Sequence, residues 1–571
     1  MNRNVESHFA ELPGVDIQRS MFDRSASHKT SFNVGELIPF YVDEVLPGDT
    51  FNVTTSAVVR LQTLLTPVMD NLYLDTYYFF VPNRIVWSHW KEFMGENRDS
   101  PWIPSTTYRV PTIEPPTNGW NVGTIADYLG IPPGVDLGVY SGKNAPNALP
   151  FRGYAMICDQ WFRDQNVSDP LNIPTGDTTV TGSNGSNYIT DVAKGGKPFL
   201  AAKYHDYFTS MLPSPQKGPN VGLWANDLSG KFNSLVPVFP TGQISNPYVA
   251  GSKRYPVAFA YNDHALNTSN RLAYTSQFTD VGGSNRDVFY QLSGFVDQNG
   301  APENGYSVSN LWANVGAMNL SINELRLAFQ LQKFYERNAR GGSRYREILL
   351  SHFGVHSPDA RMMIPEYLGG HRFPLSIHQV TNQSQGANDF LGDLGAMSNT
   401  ADVHDDFVKS FTEHGFVIGV CVARYDHSYP QGLEPFWCRE DTTDYYWPVF
   451  SQIGEQPVYG RNLYWSSSDT DNNTVIGYQE AWADYRYKPN RVSSEMRPGV
   501  SNSLANWHLA DYYTQLPTLS DSWIREDKTN VDRVLAVTSA NANQVFCDFY
   551  VKNICTRPMP MYSIPGLIDH H

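Results

Sequence analysis

Between residues 51 and 61 apolar and polar positions alternate. Phe51, Val53, Thr55, Ala57, Val59 and Leu61 fall on one face, and Asn52, Thr54, Ser56 and Arg60 on the other, with Val58 alone out of place. A period of two predicts a half-buried strand. Residues 72–81 are more continuously apolar, which predicts a strand covered on both faces, stopped by Pro82 and Asn83. Further strands are expected at 373–380, 416–425, 475–487 and 545–552; in the last, Val545, Cys547, Phe549 and Val551 share a face. Helical spacing marks 85–93, closed by Gly95, and 150–164, where Tyr154, Ile157, Trp161 and Phe162 recur. The clearest helix starts at Ser321, because Ser321-Ile322-Asn323-Glu324 is a capping-box sequence. Ile322, Leu325, Ala328, Phe329 and Tyr335 form its apolar stripe, and Gly341-Gly342 ends it. A second helical stretch covers 345–353 and stops at Gly354. From 168 to 310 the chain is rich in Gly, Asn, Ser, Thr, Pro and Tyr, with short strand-like pieces at 255–261 and 288–292. Strands near both ends with large insertions between them fit an antiparallel sandwich better than an α/β fold.

Composition sharpens this picture. The 571 residues suit about three to four domains, or one large β domain with insertions. Only 17% are charged, while 13% are aromatic, a profile opposite to that of a disordered chain or a helical bundle. Few charges with many Tyr and Trp suit a protein that buries surface against partners. The net charge of −15 argues against a dedicated nucleic-acid binder, while leaving room for one basic face. Cys158, Cys421, Cys438, Cys547 and Cys555 are odd in number and far apart, which predicts reduced thiols rather than disulfides or a zinc site. The opening residues carry no apolar leader, and no run of about eighteen apolar residues occurs, so neither a signal peptide nor membrane insertion is expected.

Candidate chemistry is sparse. There is no phosphate-binding loop, dinucleotide fingerprint, zinc-protease motif or nucleophile elbow. His356, His371 and His378 lie close in sequence, but structural histidines near turns are the better reading. Asp469, Asp471, Asn473 and Glu480 stand at positions 1, 3, 5 and 12 of a calcium-type loop. Position 6 is Thr474, where that loop needs Gly, and the flanks are not a helix pair, so a solvated loop competes with the cation reading. The most basic stretch holds Lys333, Arg337, Arg340, Arg344 and Arg346, interleaved with Tyr335 and Tyr345; a shorter one holds Arg486, Lys488 and Arg491 beside Tyr487. Cations that neutralise phosphate, next to rings that stack on bases, make Lys333, Arg337, Arg340, Arg344, Arg346, Arg486 and Lys488 DNA-binding candidates. A solvated helix end, or ion pairs to a neighbouring subunit, would account for the same residues.

Several segments together carry a family resemblance. They are Glu336-Arg337-Asn338-Ala339-Arg340-Gly341-Gly342-Ser343-Arg344-Tyr345-Arg346-Glu347, Phe353-Gly354-Val355, Ser357-Pro358-Asp359-Ala360-Arg361 and Pro365-Glu366-Tyr367-Leu368-Gly369-Gly370. Upstream stand Leu74-Asp75-Thr76-Tyr77-Tyr78-Phe79-Phe80-Val81-Pro82 and Pro213-Ser214-Pro215-Gln216-Lys217-Gly218, and downstream Tyr485-Arg486-Tyr487-Lys488-Pro489. In this order, from about residue 20 to 560, they resemble the major capsid proteins of gokushoviruses, single-stranded-DNA phages of the Microviridae. The resemblance implies an eight-stranded antiparallel jelly roll with long insertions and no enzymatic activity. It implies self-assembly through pentamers into a T=1 icosahedral shell, assembled in the bacterial cytoplasm around circular single-stranded DNA. An internal scaffolding protein, a minor pilot protein, a small basic DNA-binding protein and a bacterial surface receptor are the implied partners, and calcium or magnesium ions the implied cofactors. The expected organisation is an arm at 1–28, the first part of the core at 29–217, an inserted three-fold protrusion for host attachment at 218–310, and the remaining strands with a C-terminal arm at 311–571. The competing reading from composition is a β-sandwich glycan-binding protein or glycoside-active enzyme, or a monomeric binding module.

Overall fold

The computed structural model describes residues 18–97, 106–135, 145–219, 221, 322–383 and 391–562, with five short strands between 232 and 316. The chain divides into two compact units, one formed by 1–218 with 334–571 and the other by 219–333.

The first unit is built on nine strands: β1 (Ser20–Asp23), β2 (Ala26–Phe32), β3 (Glu36–Val45), β4 (Thr50–Leu61), β5 (Leu72–Pro82), β6 (Glu366–Pro374), β7 (Thr400–Ser410), β8 (Gly415–Tyr425) and β9 (Val545–Arg557). In one sheet β1 and β2 both pair with β9, followed by β4 and then β7. In the other the order is β6, β5, β8, β3, with the short strand Phe199–Leu200 at the edge. Every pairing in these two sheets is antiparallel. The alternation at 51–61 is the burial pattern of β4: its six apolar-face residues are buried, and Val58 is exposed. The same period holds in β9, where it continues through Asn553 and Cys555. The facing sides enclose one core. Phe40 of β3 stacks on Phe549 of β9 with ring centroids 4.5 Å apart, and the Thr55 and Tyr78 hydroxyls meet at 2.7 Å.

A second core covers the far side of the β3–β5–β8 sheet. There the helix α1 (Leu149–Ile157) and its neighbouring loops bury Trp87, Trp120, Phe151 and Tyr154. β8 therefore lies between two apolar layers, and all 11 of its residues are buried. β5 is covered in the same way. Asp75, inside that apolar run, is satisfied by Arg372, Arg424 and the hydroxyls of Tyr77 and Tyr204. The helix α2 (Ile322–Gly341) ends at the predicted glycines, and α3 (Tyr345–Phe353) stops at Gly354, whose φ of +68° is the left-handed cap. Ser321 lies outside the described residues, and so does most of the strand expected at 255–261.

Several elements differ from the sequence reading. Residues 20–23 and 26–28, expected in an arm, pair with β9. The strand expected at 373–380 breaks after Pro374, and Ile377–Thr381 pairs separately with Leu394–Ser398. The one at 475–487 ends at Glu480, because Trp482 takes a φ of +61° and a turn at Ala483–Tyr485 follows. The helix at 85–93 is two single turns, Asn83–Val86 and Trp90–Phe93, and α1 passes into a π-helical turn over Cys158–Phe162. β3 shows no strand signal in the sequence because Pro39 interrupts it. The register shifts there, so the missing N–H is accommodated at a bulge. β7 lacks apolar alternation because Asp402, His404 and Asp406 hold its inward positions.

The second unit contains a pair formed by Phe232–Pro237 and Trp312–Gly316, and a hairpin of Ala273–Thr279 with Asn285–Gln291, to which Ala260–Tyr261 adds. The chain is thus mainly β, with antiparallel sheets and few helices.

Candidate functional site

Spacing singled out two basic stretches, and the structure uses most of their charges internally. Arg344 precedes α3 and points back into the protein. It donates to the carbonyls of Asp159 and Arg163 at 2.9 and 3.1 Å and pairs with Glu347 at 3.3 Å. Arg346 lies over the Trp161 ring at 4.2 Å, with Asp359 at 3.6 Å. Both arginines thus fasten α3 to the π-helical turn. Arg340 pairs with Glu455 and reaches Glu480 at 3.5 Å, and Arg486 reaches the same Glu480 at 2.7 Å. The two stretches therefore meet around one carboxylate, a juxtaposition no local spacing reveals. Lys488 and Arg491 share Glu434. Lys333 and Arg337 are exposed on α2.

The second stretch forms one wall of a cleft of about 620 Å³. Tyr487 stacks on Tyr207 with centroids 5.0 Å apart, Arg439 lies over Tyr485 at 4.3 Å, and Lys488 sits 5.4 Å from the Phe436 ring. Planar rings interleaved with cations offer stacking and charge to a flat, anionic ligand. Sequence reasoning found only the Arg486–Arg491 wall. The aromatic walls come from Tyr207, Phe208, Tyr429 and Phe436, which no motif connects to it. Burial pushes the Tyr207 hydroxyl up and that of Tyr487 up to about 12, so both rings are neutral, hydrogen-bonding platforms.

The calcium-type spacing does not close around an ion. Asp469 and Asp471 lie in a single helical turn, Asp469–Asn473, capped by the Ser468 side chain. Positions i and i+2 of a helix do not face each other. Asn473 Oδ1 accepts from Arg461 at 3.0 Å. Glu480 lies at the far end of the strand Val475–Glu480, roughly 17 Å of extended chain away, and is engaged by Arg486. Of the three neighbouring histidines, His356 and His378 are exposed, and His371 alone meets other metal-ligating groups.

The cysteines are all free. Four are buried, and burial pushes the thiols of Cys158, Cys421 and Cys547 up, which makes them unreactive. Among the described residues no helix is long and apolar enough to cross a membrane.

Comparison with known proteins adds kinship to this geometry. Residues 10–567 match the family described as capsid protein (F protein). Capsid protein VP1 of Spiroplasma virus 4 is 41% identical over 577 residues, covering 99% of this chain and 98% of the relative. The capsid proteins VP1 of Chlamydia phage 1 and Bdellovibrio phage phiMH2K are 36% and 37% identical, with 99% of this chain and 98% of each relative covered. A mainly β chain of aromatic-rich, charge-poor composition with this end-to-end similarity belongs to the phage capsid protein (F protein) family.

Proposed function

We propose that this chain is the major capsid protein of a small single-stranded-DNA phage and that it assembles into a T=1 icosahedral shell around circular DNA. The observation that carries this reading is the similarity to three phage capsid proteins over essentially the whole length of both partners. The role is structural rather than enzymatic. Strand order supports an eight-stranded jelly roll. With β1 and β2 taken as one interrupted strand, the two sheets read β2-β9-β4-β7 and β3-β8-β5-β6. This leaves Phe199–Leu200 as an addition, and two four-stranded antiparallel sheets make the double-sheet roll of many capsids.

The segment 218–310 is the proposed three-fold protrusion and host-attachment element; a compact unit of its own at 219–333, which takes in almost all of that segment, supports the role. The exposed Lys333 and Arg337, and the aromatic cleft beside Arg486 and Lys488, are the proposed contacts to DNA. The chain's net charge of −15 assigns much of the neutralisation of the DNA to a separate small basic protein. The same reading brings in an internal scaffolding protein, a minor pilot protein, a bacterial surface receptor and assembly in the host cytoplasm. The free, buried thiols suit that reducing compartment.

Sedimentation and negative-stain imaging of the purified chain, with and without the scaffolding protein, test the proposal. Pentamers or closed particles are expected. A folded chain that stays monomeric under both conditions would overturn it and return the glycan-binding alternative.

A further inference from the structure

The outermost strands of the two sheets, β6 and β7, come together at one open edge of the sandwich, and there β7 turns a polar face inward. Asp402, His404 and Asp406 hold successive period-two positions that are less exposed than their neighbours Ala401, Val403 and Asp405. His371 of β6 comes up beside them, its ring 4.4 Å from that of His404. His371 Nε2 is 3.8 Å from Asp402 Oδ2, and His404 Nδ1 is 2.8 Å from the same oxygen. The three ligand atoms all lie within 4.8 Å of one another. A tetrahedral zinc ion with bonds of 2.0–2.1 Å holds its ligands about 3.4 Å apart, so small side-chain rotations suffice to close this set around one.

A second observation points the same way. The Asp406 side chain is fully buried, and its Oδ1 pairs with His404 Nε2 at 2.9 Å. The other Asp406 oxygen accepts from the Thr55 hydroxyl, which fixes the carboxylate. Asp406 is the extra residue of a β-bulge, and Gly369 leaves the space its carbonyl occupies, where a Cβ would collide. An ion on His404 Nδ1 would place the ring proton on Nε2, facing Asp406. That is the carboxylate–histidine–metal relay that orients ligands in metal sites.

We propose that His371, Asp402 and His404 bind a borderline dication of the zinc class, with Asp406 as the positioning residue behind His404. Two imidazoles and one carboxylate favour such an ion over calcium or magnesium, which take all-oxygen sets. The partly exposed side of His371 leaves a fourth position open to water. The ion would join β6 to β7 and so fasten together the free edges of the two sheets.

The test is titration of the chelator-treated full-length protein with Co2+, read by visible absorption and equilibrium dialysis. About one tightly held ion per chain is expected, displaced by Zn2+ and not by Ca2+. It should be lost in His371→Ala, a partly exposed position, and in Asp402→Asn, with folding checked by circular dichroism. Asp406→Asn should weaken binding about 10- to 100-fold while leaving one ion per chain at saturation. The proposal fails if the native chain shows no saturable binding, if His371→Ala binds as tightly, or if Ca2+ displaces the probe. The polar face would then serve only to keep the strand edge from pairing with other chains.

Discussion

Phe549 is fully buried and stacked on Phe40, so it joins the two sheets through dispersion and area rather than backbone pairing. Phe549→Ala should destabilise the chain by about 3–5 kcal/mol, measured by chemical denaturation. This residue was legible because its strand alternates. His427 was not. It lies buried between Asp511 and Glu526, at 2.8 Å from each, with Lys203 3.5 Å from Asp511 and the rings of Tyr425 and Tyr429 alongside. The residues of this cluster stand at positions 203, 427, 511 and 526, and only the tertiary fold unites them. Burial works against the imidazolium, but the two carboxylates outweigh it and hold His427 up to about 9, above its ordinary 6.5. Burial likewise opposes the Asp511 charge, and His427 with Lys203 overcomes it, holding that carboxyl well below 3.8. The His427 contribution is therefore complete below pH 6.5 and lost as pH rises through about 9; that of Asp511 is present above pH 3.8 and lost on acidification below it. Melting temperature followed from pH 6 to 10 should fall across the alkaline limb, and His427→Gln should flatten that limb while lowering stability at pH 6. A variant that keeps the native slope would show that the cluster does not titrate as drawn.

Among elements, legibility followed the match between pattern and burial. β4, β8 and β9 were legible because one or both of their faces meet an apolar layer. β7 was not, since Asp402, His404 and Asp406 occupy the positions where alternation is sought, and neither was β3, which bends around Pro39. α3 stands where the sequence predicts a helix, while its basic flank leaves DNA contact, a solvated helix end and ion pairs to a neighbouring subunit all open. Composition cannot tell an arginine that faces solvent from one that faces buried carbonyls, and Arg344 is the second kind. The two roles separate experimentally. Arg344→Ala should lower stability by about 1.5–3 kcal/mol, because charge-assisted bonds to two carbonyls and Glu347 are lost. Arg337→Ala should leave the melting temperature unchanged and reduce the DNA retained per particle. Thermal melts of both variants, with DNA content measured on purified particles, check the pair. Equal melting temperatures would mean that Arg344 does not anchor α3. The glycines of β6 make a second prediction at this scale. A Cβ at Gly370 would collide with the Thr76 carbonyl of β5, so Gly370→Ala should cost about 1–3 kcal/mol and lower the soluble yield at 37 °C.

For the whole molecule the informative feature is apolar surface that a single chain leaves uncovered. Between Glu434 and Gly454, Trp437 is 67% exposed, Trp447 49% and Val449 79%, with Tyr445, Tyr446 and Ile453 also open. A monomer seldom tolerates so dense an aromatic patch, whereas a shell subunit covers it against the next copy. Backbone bonds and short turns hold the segment in shape before assembly, including the one-turn helices Pro435–Cys438, Thr442–Asp444 and Pro448–Phe450. Substituting its exposed apolar side chains should therefore spare the fold. Trp437→Ser combined with Val449→Ser should give a chain with native circular dichroism and a melting temperature within a few degrees of the parent. Sedimentation should then show that it stays small under conditions where the parent forms pentamers or shells. Normal particles from the double variant would mean that the patch lies on a free face of the shell. Loss of the folded state would mean that these side chains belong to the core of their own chain, against their exposure in the structure.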